Sequence, residues 1–177
     1  MQVIIDACKD GSLNAEITAV VTSKPESGAA SRSKSAGIPC YVSGLDLPKN
    51  GDATENRTLK LLKESEVEWV LLLGYTRKIE TRIISEFRNR IINTHPSLLP
   101  KFGGKGFYGR KVHQAVFDSG EKITGATIHL VNEEYDSGKI LSQITVEVLP
   151  DDSPETIERR VKEAEKAQLV RVLKTLW

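Results

Sequence analysis

The sequence predicts an α/β fold built on a doubly wound, mostly parallel sheet, with an antiparallel strand pair near the C-terminus. Three observations predict it. Short β-branched or leucine-rich runs alternate with helix-patterned segments along most of the chain, and this alternation gives parallel strands covered on both faces. Late in the chain two apolar runs, Thr124–Val131 and Ile140–Val148, flank a turn at Glu133–Gly138, which suits an antiparallel pair. The composition, 39% hydrophobic and 28% charged over 177 residues, is that of a globular chain that buries a core without metal or disulfide staples. One domain spanning 1–177 is expected.

The elements follow in order. Val3, Ile4, Ala7 and Cys8 recur at helical spacing, and Gly11 stops that helix. Ile17–Val21 is nearly all apolar, as a strand buried on both faces would be. Ser27–Ala36 is helix-compatible and ends at Gly37; Ile38–Val42 is a second short strand. Ser43–Asp52 reads as a long surface loop, and Ala53–Ser65, with Leu59, Leu61 and Leu62, as a helix. Val67–Leu73 is a central-type strand, Glu80–Phe87 a short helix and Arg90–Thr94 a fourth strand. Arg110–Ser119 is a helix closed by Gly120. The last helix opens at Ser153-Pro154, a cap followed by proline at the first helical position. Its buried stripe is Ile157, Val161, Ala164, Leu169, Val172 and Leu176. The chain opens on a helix, whereas a doubly wound sheet normally enters through a strand whose following turn often carries phosphate-binding glycines.

Charge and cysteine usage exclude several classes. With 25 basic and 24 acidic residues the net charge is +1, which argues against nucleic-acid or membrane-surface partners that rely on clustered positive charge. Cys8 and Cys40 are too few for a disulfide framework or a four-cysteine zinc site and fit a reducing cytoplasm. The opening residues lack the basic flank and long apolar run of a signal peptide, and Val70–Leu73 is far too short to span a bilayer. A cytoplasmic protein is expected, with no metal.

The chemistry-bearing residues gather at Asn93-Thr94-His95-Pro96, where the fourth strand ends because proline cannot continue a central ladder. Asn93 and His95 are two apart and point to one side, at the carboxyl end where open α/β sheets bind ligands. An amide and an imidazole together there polarise a carbonyl and move a proton; equally, Asn93 reads as a loop cap and His95 as a satisfied, partly buried histidine. Asp136, in Tyr135-Asp136-Ser137-Gly138, is ordinary turn chemistry unless the fold sets it beside His95, where it would raise the imidazole pKa. The glycine-rich loop Lys101–Gly109 does not match a nucleotide P-loop; a mobile lid and a plain connection are both open. His113 is expected on a helix surface and His129 in a structural role.

Asn93-Thr94-His95-Pro96-Ser97-Leu98-Leu99-Pro100-Lys101 resembles a signature of the folate-dependent formyltransferase family. So do Ile4–Lys9, Leu72-Leu73-Gly74-Tyr75-Thr76-Arg77, and Gly125-Ala126-Thr127-Ile128-His129 followed by Val131–Gly138. Pro96 and the Ser-Leu-Leu-Pro after it favour the purine-pathway branch. The resemblance implies a Rossmann-like sheet and transfer of a formyl group from 10-formyltetrahydrofolate to the amine of glycinamide ribonucleotide. Both are small-molecule partners. It also implies a catalytic trio of Asn93, His95 and Asp136. Leu72, Arg77, Ile79, Ile83, Ile91 and Val131 would meet the folate, Thr94, Pro96 and Glu165 the ribonucleotide, and Thr127 and His129 would support the trio.

The chain departs from the family where a first strand and a Gly-rich turn would precede Gln2, the turn holding a substrate phosphate on backbone N–H groups. An N-terminally truncated formyltransferase fold is therefore expected, with a central strand missing and its neighbours unpaired. Thr76 and Lys78 replace more apolar residues. Lys105 and Lys111 are candidate phosphate contacts by charge alone. Two alternatives stay open: a folate formyl hydrolase or a transferase acting on another amine, and an inactive folate-binding fragment.

Overall fold

The computed structural model describes residues 1–43 and 51–177, and only the backbone course for 51–57. It divides into two compact units, Met1–Glu68 with Trp177, and Trp69–Leu176. The loop expected at Ser43–Asp52 lies for the most part outside the described residues; its last two positions already belong to a helix.

The first unit holds α1 (Gln2–Lys9), β1 (Val20–Thr22), α2 (Gly28–Ala36), β2 (Cys40–Val42) and α3 (Gly51–Glu64). α1 buries Ile4, Ile5 and Ala7, the stripe that the spacing predicts. Gly11 follows it with φ 73°, a left-handed turn that favours glycine. α2 starts at Ser27, whose side chain accepts from the Ala30 N–H, and ends at Gly37 in the left-handed region with φ 71°. It joins two parallel strands in register, Val20 opposite Cys40 and Thr22 opposite Val42. β1 is shorter than the apolar run suggests and is not buried on both faces, since Val21 is 39% exposed. Only Thr22 of the strand is buried, so alternation rather than double burial describes it.

The second unit holds β3 (Val70–Leu72), α4 (Thr81–Glu86), β4 (Ile91–His95), α5 (Arg110–Asp118), β5 (Ile123–Leu130), β6 (Ile140–Glu147) and α6 (Pro154–Leu173). Its sheet runs in the order β3-β4-β5-β6. β3 and β4 are parallel, as the helix between them requires. β5 is antiparallel to β6, as predicted, and also to β4, so the change of direction comes one strand earlier than the sequence suggests. β3 is the end strand of this order, half-buried throughout, rather than a central one.

Register sorts the side chains onto two faces. Asn93 lies opposite His129 and His95 opposite Thr127, so these four share one face. Thr94 lies opposite Ile128, on the other face, which α6 covers. There Ala126, Ile157 and Val161 form a buried cluster with Ile144, Val146 and Val148 packed against it. Each fully buried aliphatic side chain of that cluster stabilises by about 1.5–3 kcal/mol. α6 starts on a reciprocal capping box between Ser153 and Thr156, with Pro154 opening the helix. Its buried face includes Gln168 and Leu173, while Leu176 and Ala164 are only partly buried, a rotation of the predicted stripe toward the helix end. α5 buries Val112, His113 and Val116 together. His113 is 1% exposed, which corrects its expected place on the surface: it neighbours the Val112–Val116 stripe and turns inward with it.

Candidate active site

The site lies wholly in the second unit, on the face opposite α6. β4 carries Asn93 and His95 out to its carboxyl end, and β5 carries His129 and Thr127 alongside them. Asp136 arrives from the β5–β6 turn in a left-handed conformation, φ 51°, followed by Gly138, where a Cβ would strike the Leu130 carbonyl oxygen at 1.8 Å. The fold thus brings together all three residues of the predicted trio and the predicted support.

His95 is 4% exposed and both its ring nitrogens face acceptors. Nδ1 lies 3.5 Å from Asp136 Oδ2. Nε2–H donates to the Phe102 carbonyl at 2.8 Å. Asp136 in turn accepts from the Gly104 N–H at 2.9 Å and stands 3.6 Å from His129 Nε2. His129 Nδ1–H donates to the Leu130 carbonyl at 2.8 Å, which leaves the Nε2 lone pair to accept from the Asn93 amide at 3.1 Å. The second Asn93 N–H is uncommitted among the described residues.

The electrostatics follow from burial and pairing. Burial lowers the His95 pKa from its ordinary value; Asp136 and the Phe102 carbonyl pull it back up without prevailing. The expected rise from the carboxylate is therefore present but outweighed. For Asp136 burial pushes upward, yet His129, His95 and the Gly104 N–H together bring it below the ordinary carboxylate value. A carboxylate that stays ionised beside a nearly neutral imidazole is a poised acid–base pair.

Thr127 fixes the backbone that follows β4. Its hydroxyl donates to the Ser97 carbonyl at 2.6 Å and accepts from the Leu99 N–H at 3.0 Å and from Gln143 Nε2 at 3.0 Å. That uses its single donor and both acceptor positions. Gln143 also donates to the Leu99 carbonyl at 3.0 Å, and Ser97 Oγ donates to the Lys101 carbonyl at 2.6 Å. Loop 101–109 leaves this anchored stretch and reaches back onto the trio through Phe102 and Gly104.

The other predicted positions divide. Thr94 Oγ1 donates to Glu165 at 3.2 Å, on the opposite face of β4 from His95. Burial raises the Glu165 pKa. Pro96 is half-buried beside them in sequence. Leu72 is in register with Asn93, and Ile79 and Val131 are half-buried, whereas Ile83 and Ile91 are core residues 3% and 1% exposed. Arg77, Lys105 and Lys111 are exposed, Lys111 standing 4.7 Å over the Tyr108 ring. Sequence reasoning missed Phe102, Gly104, Ser97 and Gln143. Backbone contacts at Phe102 and Gly104 leave no side-chain signature; the run of glycines in loop 101–109 was the available signal.

A pattern described as formyl transferase matches residues 1–173. The chain belongs to the formyl transferase family. It is 42% identical over 171 residues to the chloroplastic phosphoribosylglycinamide formyltransferase of Arabidopsis thaliana, covering 96% of this chain and 59% of that protein. It therefore spans less than two thirds of the length of that relative. The phosphoribosylglycinamide formyltransferase of Haemophilus influenzae is 34% identical over 93% of this chain and 76% of its own. The crystal structure of phosphoribosylglycinamide formyltransferase from Bacillus halodurans superposes with a TM-score of 0.90 at 30% identity, covering 99% of this chain and 88% of that one. Among the described residues no helix is long and apolar enough to cross a membrane.

Proposed function

We propose that residues 1–177 act as one formyltransferase domain that moves a formyl group from 10-formyltetrahydrofolate to the amine of glycinamide ribonucleotide. The observation that carries the reading is the juxtaposition of His95, Asp136 and Asn93 on the open end of β4, with similarity to phosphoribosylglycinamide formyltransferases along nearly the whole chain. Both molecules are substrates, and no metal enters the chemistry.

The amine nitrogen attacks the formyl carbon; a C–N bond forms and the carbonyl electron pair moves to oxygen. Asn93, through its uncommitted N–H, and His95 donate to that oxyanion. His95 first passes its Nε2–H from the Phe102 carbonyl to the substrate. Asp136, held ionised, keeps the imidazole in place, accepts the proton of the attacking amine and passes it to N10 of the donor. The pair then returns, the C–N10 bond breaks, and tetrahydrofolate leaves with the proton. One prepositioned donor of this kind is worth roughly 3–4 kcal/mol. In this reading Leu72, Ile79, Ile83, Ile91 and Val131 line the pterin pocket and Arg77 meets the folate. Thr94, Pro96 and Glu165 take the ribonucleotide. Two free cysteines suit the expected cytoplasm, although the plant relatives are named as chloroplastic.

The test is formyl transfer by the full chain, with His95→Ala as the control. The expected result is transfer that needs glycinamide ribonucleotide and falls about a thousandfold in the variant, within the range for a lost acid–base group. Formyl release independent of the amine would replace this reading with hydrolysis; folate binding without transfer would replace it with a binding fragment.

A further inference from the structure

Gln143 lies on β6, an end strand of the sheet, at a position open to solvent. Water would satisfy a glutamine there, yet its amide turns inward. Register explains the reach: His95, Thr127 and Gln143 stand opposite one another in turn across β4, β5 and β6, so the three share one face. Gln143 Nε2 donates to the Leu99 carbonyl and to Thr127 Oγ1, each at 3.0 Å. The amide is fixed in that orientation, because the single Thr127 proton goes to the Ser97 carbonyl and its oxygen accepts from Gln143. The same hydroxyl accepts from the Leu99 N–H. Leu99 is thus gripped at both main-chain groups, its N–H by Thr127 and its carbonyl by Gln143. Further along this stretch the Ser97 hydroxyl ties down the Lys101 carbonyl. Phe102 follows with φ 53°, a left-handed conformation that a bulky residue keeps where its surroundings impose it. Its carbonyl is the one that faces His95 Nε2 at 2.8 Å.

We propose that Gln143 is a positioning residue for His95: by holding the Leu99 carbonyl it aims the Phe102 carbonyl at Nε2 and so decides which ring nitrogen carries the proton. A carbonyl can only accept, so its presence at Nε2 favours the Nε2–H form. The Asp136 carboxylate, 3.5 Å from Nδ1, favours the other form. The two acceptors compete for one proton, and the grip on Leu99 settles the competition from two strands away. The Nε2–H is the donor that the proposed function turns toward the oxyanion. The kinetic consequence rests on the formyl-transfer reading; the position of the proton does not.

Two variants of the full chain separate donation from packing. Gln143→Met keeps the length of the side chain and removes both donors; Gln143→Glu keeps its shape and sets a carboxylate against two oxygens. Because Gln143 is exposed, neither disturbs the core. Nitrogen-15 NMR of the His95 ring, recorded at about pH 8 where the imidazole is neutral and assigned by difference from His95→Ala, reports the tautomer. Steady-state formyl transfer reports kcat and KM. The wild-type chain is expected to show Nε2–H. Both variants should gain the Nδ1–H form, with kcat about tenfold lower and KM for both substrates within about twofold, as a small misplacement of an acid–base group predicts. Gln143→Glu should fall at least as far as Gln143→Met. An unchanged His95 tautomer in both variants, or a rise in KM with kcat held, overturns the proposal and leaves the formyl-transfer reading standing. A tautomer shift in the variants without transfer by the wild-type chain upholds the positioning role and overturns that reading.

Discussion

A histidine with both nitrogens aimed at acceptors and almost no exposure is in an unusual position for the role proposed above. His95 spends its Nε2–H on the Phe102 carbonyl, so substrate must compete with the chain's own backbone for that proton. Thr127 is the quieter residue on the same face and is saturated by its three hydrogen bonds. Thr127→Val keeps the shape and deletes all three, leaving the Ser97 carbonyl and the Leu99 N–H buried without a partner. The expected loss is roughly 2–6 kcal/mol of stability for the two orphaned groups, at about 1–3 kcal/mol each, measured by urea unfolding. Formyl transfer should fall as well, because Ser97 to Lys101 would no longer be held under loop 101–109. Asn93, His95 and Asp136 were legible from signature residues at a strand end and in a turn. Phe102 and Gly104 were not, since they act through main-chain atoms that any residue type carries. His113 was misplaced because one histidine in a nine-residue helix says little about which way it faces.

Among the elements, those with strong local punctuation were the ones read most closely. α2 starts on Ser27 and stops on Gly37, and α6 starts on Ser153-Pro154, as the cap residues indicate. β1 and β3 are shorter than their apolar runs, because an apolar run does not say where pairing stops. The direction of β5 against β4 was missed: α5 lies between them, and a helical crossover normally signals parallel strands. Loop 101–109 makes the sharpest test at this scale. Phe102 and Gly104 are both left-handed, with φ 53° and 89°. A Cβ on Gly103 between them would come within 2.4 Å of Leu99 Cδ2 and 3.4 Å of Asp136 Cβ. Gly103→Ala should therefore push the loop off His95 and Asp136. About a tenfold fall in kcat is expected with a melting temperature lower by only a few degrees, since Leu99 is a flexible neighbour. A large loss of stability with normal kcat would contradict the anchoring role of the loop.

At the scale of the molecule, acidity is the natural probe. Burial lowers the pKa of both His95 and His113 from 6.5; for His113, Glu158 opposes the shift while Lys162 and His95 add to it. Below 6.5 the unfolded chain binds protons on these rings that the folded chain refuses, so stability falls as pH drops through that window. Asp136 acts in the same direction in a lower window: its folded value lies below 3.8, so its contribution is present above that pH and lost beneath it. Thermal melts from about pH 8 to about pH 5.5 should show a plateau and then a decline, and His113→Leu should make the decline shallower. A melting temperature that stays level or rises over that range would refute the buried-neutral assignment. The pairing of β4 with β5 has a consequence in time as well. Asn93 meets His129, 36 residues further on, and His95 meets Asp136 later still. A growing chain that has passed His95 lacks the assembled cluster; it must be extended through the β5–β6 turn before the imidazole has its carboxylate. Synthesis arrested before residue 136 leaves a product with the signature nonapeptide complete and the His95–Asp136 pair absent, and under the function proposed above such a product is expected to be inactive.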